Sequence, residues 1–114
     1  MIYINSPVIN GANAASSTQS NAIDASQLLQ ASAQVVCSST ATGTVKFQAS
    51  NDYGNSVSYT VPTNWSDIPT MSVTLAGGTV YLIPKFDICY KWIRVAYIGG
   101  GTGTVTVSIK VHGV

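Results

Sequence analysis

The sequence predicts an all-β fold, an antiparallel β-sandwich of jelly-roll-like type, and three observations support this prediction. Residues 90–98 and 103–112 each alternate apolar and polar side chains, which is the pattern of a β-strand with one buried face. The glycine-rich residues 99–103 separate these two runs and predict a hairpin that uses positive φ angles. Further alternating runs precede them at roughly 8–12-residue intervals, and no segment has helical periodicity over about ten residues.

We interpret the alternating runs as strands because turn signals rich in glycine, proline and asparagine separate them. The predicted strands cover residues 23–30, 33–39, 44–50, 57–61, 71–75, 79–84, 90–98 and 103–112. The alternative for residues 27–34 is a helical turn, since this stretch has fair helix propensity. The inward positions predict a core of Val45, Phe47, Tyr59, Val73, Leu75, Leu82, Ile93, Val95, Val105, Val107 and Ile109.

The N-terminal residues differ in composition from the rest of the chain. Ile2, Tyr3 and Ile4 have a short strand pattern, but the residues after them are small and polar and offer little to bury. The sequence therefore predicts an extended N-terminal arm or long loop at residues 1–22 and a single β-sandwich domain at residues 23–114. The arm is either disordered or ordered against a neighbouring subunit by strand addition. Its first residues lack a basic region followed by an apolar stretch, so we expect no signal peptide.

Low charge limits the classes of partner that the chain can have. Charged residues make up 8% of the 114 residues, against about 25% in typical domains, and the formal net charge is +1. The five basic residues are scattered, and no apolar run approaches the ~18 residues of a membrane span, so we expect neither nucleic acid nor membrane as partner. A weakly charged β protein is poorly soluble as a free monomer, so we expect a homodimer or homotrimer, or association with other proteins.

Catalytic and metal-binding patterns are missing from the sequence. The single histidine, His112, falls on the polar face of the last predicted strand, and no nucleophile elbow or zinc-protease motif occurs. The acidic residues are Asp24, Asp52, Asp67 and Asp87, and they form no calcium-loop pattern. Asp52 and Asp67 lie in turn-like segments, where aspartate commonly bonds to nearby backbone. We therefore expect no enzymatic activity, no metal and no cofactor.

The two cysteines, Cys37 and Cys89, are too few for a disulfide framework. Both lie in apolar strand patterns, where free cysteine behaves as a small buried hydrophobe. We expect two reduced core thiols, with a single disulfide between them as the alternative.

Aromatic residues suggest two candidate contact sites. Trp92 and Arg94 share the polar face of their predicted strand, and both residue types are common in protein interfaces. The alternatives for Trp92 are burial under the arm or a loop, and stacking on a sugar. Tyr53 and Trp65 lie in turn-like segments and are the candidates for a sugar-binding platform.

Three segments in this order resemble small structural proteins of tailed-bacteriophage virions: GTVKFQASND at 43–52, NWSDIP at 64–69 and YKWIRVAYIGGGTGTVTVSIKVHG at 90–113. The resemblance covers about residues 40–113. It implies a jelly-roll-like sandwich that acts as a capsid decoration protein, a minor capsid protein or a tail-associated subunit. It also implies location in the virion after assembly in the host cytoplasm, with the major capsid protein or other virion proteins as partners, and no catalytic residues.

The expected function is therefore that of a non-enzymatic decoration or cement subunit that reinforces a phage capsid by protein–protein contacts. The strand at Ile2, Tyr3 and Ile4 and the surface at Trp92 and Arg94 are the candidate contact sites. The segment YKWIRVAYI at 90–98 is also similar to a strand of galactose-binding-like jelly rolls. That second resemblance implies the alternative, a carbohydrate-binding module of a tail or receptor-binding component.

Overall fold

The computed structural model describes residues 3–52 and 62–113, with side chains from Asn5 onward. These ranges form nine strands and no helix. The strands are β1 (Tyr3–Asn13), β2 (Thr18–Gln19), β3 (Ile23–Asp24), β4 (Leu28–Cys37), β5 (Thr44–Ser50), β6 (Ser66–Thr74), β7 (Val80–Asp87), β8 (Trp92–Ile98) and β9 (Thr104–Gly113). The helical-turn alternative at residues 27–34 is wrong, because β4 is extended there. The predicted strand at 57–61 lies outside the described residues.

Two antiparallel sheets form a sandwich, which confirms the all-β prediction. The first sheet has the strand order β1-β9-β4-β7. In the second sheet β8 pairs with β5, β5 pairs with β6, and the short strands β2 and β3 pair with the other side of β8. The chain changes sheet six times, at every connection between consecutive described strands except β2 to β3 and β5 to β6. Neighbouring strands in each sheet are therefore mostly distant in sequence.

Residues 99–103 connect the two sheets rather than two paired strands, so the predicted hairpin is wrong. β8 belongs to the second sheet and β9 to the first. The alternation identified the buried face of each strand correctly. The buried faces of β8 and β9 lie on opposite sides of the core, however, and the two strands are not neighbours in one sheet. Gly101 has φ 75° and Gly103 has φ 92°, so the expected positive φ angles occur in this crossing.

The core lies between the sheets and contains most of the predicted residues. The largest fully buried side chains are Tyr97, Phe47, Leu75, Ile83, Ile93, Ile109, Val35, Val45, Val95, Val105, Val107 and Val111. Burial of each such aliphatic or aromatic side chain contributes about 1.5–3 kcal/mol. Phe47 and Phe86 meet edge to face with their ring centroids 4.7 Å apart, which joins the second sheet to the first. Val73 is only half-buried, and Tyr59 lies outside the described residues.

The prediction that Leu82 belongs to the core is wrong, because its side chain is 69% exposed. β7 is the last strand of the first sheet, and its pleat turns Tyr81 and Ile83 toward the core. Residues 80–83 are apolar on both faces of the strand, so the sequence did not distinguish the inward positions from the outward ones.

Residues 3–13 form β1 and complete the first sheet, within the segment 1–22 that was predicted as an extended arm or long loop. β1 pairs antiparallel with β9 along its length, with two register shifts. This pairing satisfies the backbone groups of a segment whose small polar side chains give little burial, and Ile9 and Ala14 reach the core. β2 and β3 then pair with β8, so the predicted boundary between residues 22 and 23 falls between two strands of one sheet.

The two cysteines differ in environment and are not joined by a disulfide. Cys37 is buried, with its Sγ 3.5 Å from the carbonyl oxygen of Gly78, and burial raises the pKa of its thiol. Cys89 is exposed, because Ile88 takes the buried position beside it. The prediction of buried thiols is therefore confirmed for Cys37 and wrong for Cys89.

Val95→Asp should prevent folding or cost about 3–5 kcal/mol, because it places an unpaired carboxylate in a fully buried site. Ile98→Asp is the matched control in the same strand, since Ile98 is 48% exposed, and its effect should stay within about 0.5 kcal/mol. Urea unfolding followed by circular dichroism measures both. Equal losses for the two variants would contradict the assignment of the core.

Candidate binding surface on the second sheet

The outer face of the second sheet brings charged and aromatic side chains together on β5, β6 and β8. We call this group the Arg94 cluster: Lys46, Gln48, Trp65, Asp67 and Arg94. Strand register assembles it, since Gln48 lies opposite both Arg94 on β8 and Asp67 on β6. Paired residues of antiparallel strands share one face of the sheet. Three segments that are distant in sequence therefore contribute to one surface.

The side chains of the Arg94 cluster form a continuous chain of contacts. Arg94 donates from Nε to Oε1 of Gln48 at 2.8 Å, and Gln48 donates from Nε2 to Oδ1 of Asp67 at 2.9 Å. Lys46 Nζ lies 3.0 Å from Oδ2 of Asp67. The guanidinium carbon of Arg94 lies 4.3 Å from the centroid of the Trp65 ring, which is a cation–π distance. Gln48 therefore links the ion pair on one side to the arginine–tryptophan stack on the other.

Trp65 is held by a turn that Asp52 organises. The Asp52 carboxylate accepts hydrogen bonds from the backbone N–H groups of Thr63 and Asn64 at 2.7 and 2.9 Å, and from the Asn64 side chain at 2.9 Å. These bonds, with those of Asn64 the largest, hold the pKa of Asp52 below its usual value. Trp65 donates from Nε1 to the carbonyl oxygen of Pro62 at 3.2 Å. Asp52 thus has the turn role that its sequence position predicted.

Electrostatics follow from these partners. The pKa of Asp67 lies below its usual value, mainly because Gln48 donates a hydrogen bond to the carboxylate and, to a smaller extent, because Lys46 does. Partial burial lowers the pKa of Arg94, although a guanidinium stays protonated under all ordinary conditions. Within residues 3–52 and 62–113, Arg94 donates one hydrogen bond, through Nε. Its terminal N–H groups therefore remain able to donate to a bound partner.

A shallow groove runs beside Arg94 between β2 and β8. Its lining is mostly neutral and polar, and it comprises Ser17, Thr18, Gln19, Gln48, Arg94, Ala96, Tyr97 and Ile98. Such a groove offers hydrogen-bond donors and acceptors with a single positive charge at one side. It suits a neutral polar ligand or a protein segment with a carbonyl or carboxylate near Arg94.

Trp92 does not belong to this surface, so its prediction as an exposed contact residue is wrong. The side chain is 4% exposed, and its Nε1 donates to the carbonyl oxygen of Asp52 at 3.3 Å. The ammonium group of Lys91 lies 4.9 Å from the centre of its ring. The alternative of burial is therefore the correct one for Trp92, and Arg94 alone of that predicted pair contributes to the surface.

The other predicted site residues are separated from the Arg94 cluster or lie outside the description. Tyr3 and Ile4 pair with His112 and Val111 in the first sheet, so they are part of the protein's own sandwich. Ile2 and Tyr53 lie outside the described residues. Sequence reasoning missed Gln48 and Asp67, since only strand register reveals that they flank Arg94 and Trp65.

Residues 3–52 and 62–113 contain no group of three or more histidine, cysteine, aspartate or glutamate side chains that is able to hold a metal ion. His112 lies half-buried on β9, opposite Gln30. The same ranges contain no helix long and apolar enough to cross a membrane.

Comparison with known proteins shows similarity in fold. No family model matches the sequence, and no curated protein sequence matches it significantly. The structure is similar to that of the PBSX exported protein XepA, with a TM-score of 0.74 and 13% identity over 97% of this chain. The chain spans 37% of the XepA chain, so it corresponds to about one third of that protein.

Two further solved structures match nearly all of this chain. The SPBc2 prophage-derived protein YomS has a TM-score of 0.56 and 16% identity, with 98% of this chain and 96% of that chain covered. A protein of the Bacillus endospore appendages, which form disulfide-linked pili, has a TM-score of 0.51 and 16% identity, with 96% and 84% covered. These likenesses define the class of fold, a small all-β sandwich, and at such identities they show the fold alone.

The titration of Asp67 tests whether Gln48 lowers its pKa more than Lys46 does. Gln48→Leu should raise the pKa of Asp67 toward its usual value near 3.8, and by more than Lys46→Leu does, because the Gln48 bond is the larger cause. The measurement is carboxyl-carbon NMR of Asp67 against pH. Since the folded pKa is depressed, the stabilisation is present above the unfolded value and is lost as pH falls through the folded pKa. A larger shift in Lys46→Leu would contradict the assignment.

Proposed function

We propose that this protein is a non-catalytic structural protein of a phage or prophage particle. The observation that carries the proposal is the likeness to the prophage-derived protein YomS, which covers 98% of this chain and 96% of that one. YomS is therefore a sandwich of about the same length. The likeness to XepA over 97% of this chain supports the same assignment.

The surface chemistry suits a protein that works by adhesion. Most outward positions of β9 and β4 on the first sheet carry neutral polar residues, such as Ser108, Ser32 and Gln34, and Lys110 is the charged residue among them. A surface with few charges binds through many hydrogen bonds and close fit, and it buries little charge when it does so. The net charge of +1 also leaves little long-range repulsion between copies.

The more specific role is that of a decoration subunit that binds the major capsid protein and reinforces the shell. The Arg94 cluster is the contact surface in this proposal, because arginine and tryptophan are enriched at interface hot spots. The terminal N–H groups of Arg94 suit a carboxylate or carbonyl of the partner. Many copies on a symmetric shell bind firmly even when each contact is weak, since multivalency raises the overall affinity.

Capsid binding tests this role. Purified protein is mixed with empty phage capsids that lack it, and the particles are imaged by electron cryomicroscopy. Regular additional density on the capsid lattice is expected, and Arg94→Ala should raise the protein concentration needed for half-occupancy about tenfold or more, the size of a hot-spot loss. Lys85→Ala is the charge-matched control on the first sheet and should bind like the parent. No density with parent protein would exclude the decoration role.

A carbohydrate-binding role is the second candidate, and one observation favours it. The half-exposed Trp65 lies beside the donors of Arg94 and the groove that Gln19 and Gln48 help to line. Sugars bind where an aromatic ring adjoins a few fixed polar groups. One face of the Trp65 ring is covered by the guanidinium, so a sugar would use the other face or the ring edge.

Glycan-array binding distinguishes the two roles. A sugar-binding protein should retain specific glycans, and Trp65→Ala and Arg94→Ala should each abolish the signal while unfolding curves stay cooperative. Lys85→Ala should keep the signal. Trp92→Ala is unsuitable here, because Trp92 is buried and its loss is expected to destabilise the fold. An empty array with folded parent protein would exclude this role.

A further inference from the structure

The first sheet carries an exposed apolar patch at its β7 edge. We call it the Val80 patch: Val36, Val80 and Leu82, which are 46%, 60% and 69% exposed. The register places Val80 opposite Val36 and Leu82 opposite Gln34, so all three apolar side chains stand on the outer face of the sheet. Exposed apolar side chains that cluster, rather than scatter singly, usually mark an interaction site.

The first half of β7 lacks the features that protect the other sheet edges. β1 contains Pro7 and two register shifts, β6 contains Pro69 and one register shift, and β2 and β3 are two residues long each. β7 has Pro84, Lys85 and a register shift only beyond Ile83, in its second half. Residues 79–83 contain neither charge nor proline, and their pairing with β4 is regular. Natural edge strands normally carry such protection, so its absence marks residues 79–83 as a pairing edge.

Backbone direction makes the same residues available for pairing. Cys37 donates its N–H to the carbonyl of Thr79 at 2.9 Å, so Thr79 faces β4. Because residues of an antiparallel strand alternate in direction, Val80 and Leu82 point their N–H and C=O groups away from β4. No strand within residues 3–52 and 62–113 pairs with that side of β7. Apolar side chains and unpaired backbone groups therefore occur in the same two residues.

We propose that the β7 edge binds a second copy of this chain, β7 to β7, antiparallel about a two-fold axis at Tyr81. In this register Val80 of each copy faces Leu82 of the other, and these residues exchange backbone hydrogen bonds. The two four-stranded first sheets become one continuous sheet. Both Val80 patches then meet on its outer face and cover each other.

Charge supports a second copy as the occupant. In this register Lys85 lies opposite residue 77 of the other copy, beyond the paired segment, so no like charges face each other. A two-fold contact requires a self-complementary surface, and a neutral strand edge flanked by apolar side chains meets that requirement. The contact is small compared with the ~1,000 Å² of a stable interface, so a weak dimer is expected. Crowding of copies on a particle would strengthen it.

Sedimentation velocity over a concentration series tests the contact, and it needs no capsid, so its outcome is independent of the proposed function. The parent protein should shift from monomer to dimer as concentration rises. Leu82→Lys should raise the dissociation constant about tenfold or more, because it places charge in the contact. Ile98→Lys, which changes an exposed apolar residue of the second sheet, should dimerise like the parent. Urea unfolding confirms that both variants are folded.

Cysteine cross-linking tests the register. Val80→Cys and Leu82→Cys are made separately in a Cys89→Ser background, because Cys89 is exposed. Facing residues of a hydrogen-bonded pair are about 5.5 Å apart between Cα atoms, within disulfide range. When the two variants are mixed and mildly oxidised, a disulfide should join the cysteine at position 80 of one copy to the cysteine at position 82 of the other. Neither variant should form a linked dimer alone. A monomeric parent, a dimer unaffected by Leu82→Lys, a larger oligomer, or equal linking of the separate variants would overturn the proposal.

Discussion

The whole sandwich depends on the burial of Tyr97 at the point where its two sheets and their last connection meet. Its hydroxyl lies 2.7 Å from the carbonyl oxygen of Ala14, which follows β1, and 3.2 Å from that of Gly100, in the crossing to β9. A Cβ atom on Gly43 would overlap the ring, so the ring lies directly against backbone. A buried hydroxyl without an acceptor costs about 1–3 kcal/mol, so these bonds tie the end of β1 and the crossing to β9 to the same buried side chain.

The two outer faces differ in chemistry, and this difference separates two kinds of contact. The first sheet presents mainly hydroxyl and amide side chains, with Lys110 among them, and has the apolar Val80 patch at its β7 edge. The second sheet presents the Arg94 cluster, where a charged network surrounds one half-exposed tryptophan. The proposed self-association at the β7 edge and the proposed partner binding at the Arg94 cluster use different sheets, so neither contact blocks the other.

Alternation in the sequence identified which side of a strand is buried, but not which strand lies beside it. Residues 44–50 were predicted as a strand and form one with the same bounds, and Val95 and Val107 face the core as expected. The hairpin at residues 99–103 was wrong because two strands with matching apolar faces satisfy the pattern equally well side by side or across a core. Trp92 was predicted to be exposed but is buried, and Leu82 was predicted to be buried but is exposed. Both errors arise because the exposure of these side chains depends on tertiary contacts that the local sequence does not show. The Arg94 cluster was half-predicted, since Gln48 and Asp67 join it only through register.

The position of β9 has a consequence for the order of events during synthesis. β9 lies between β1 and β4, yet it is the last of the described strands to be synthesised. Until residues 104–113 emerge, β1 has no neighbour among the described strands, and β4 has one unpaired side. The first sheet is therefore completed only after translation of nearly the whole sandwich, through pairings between residues that are far apart in sequence. Such non-local topologies fold slowly, and the unpaired strand edges stay exposed until folding is complete.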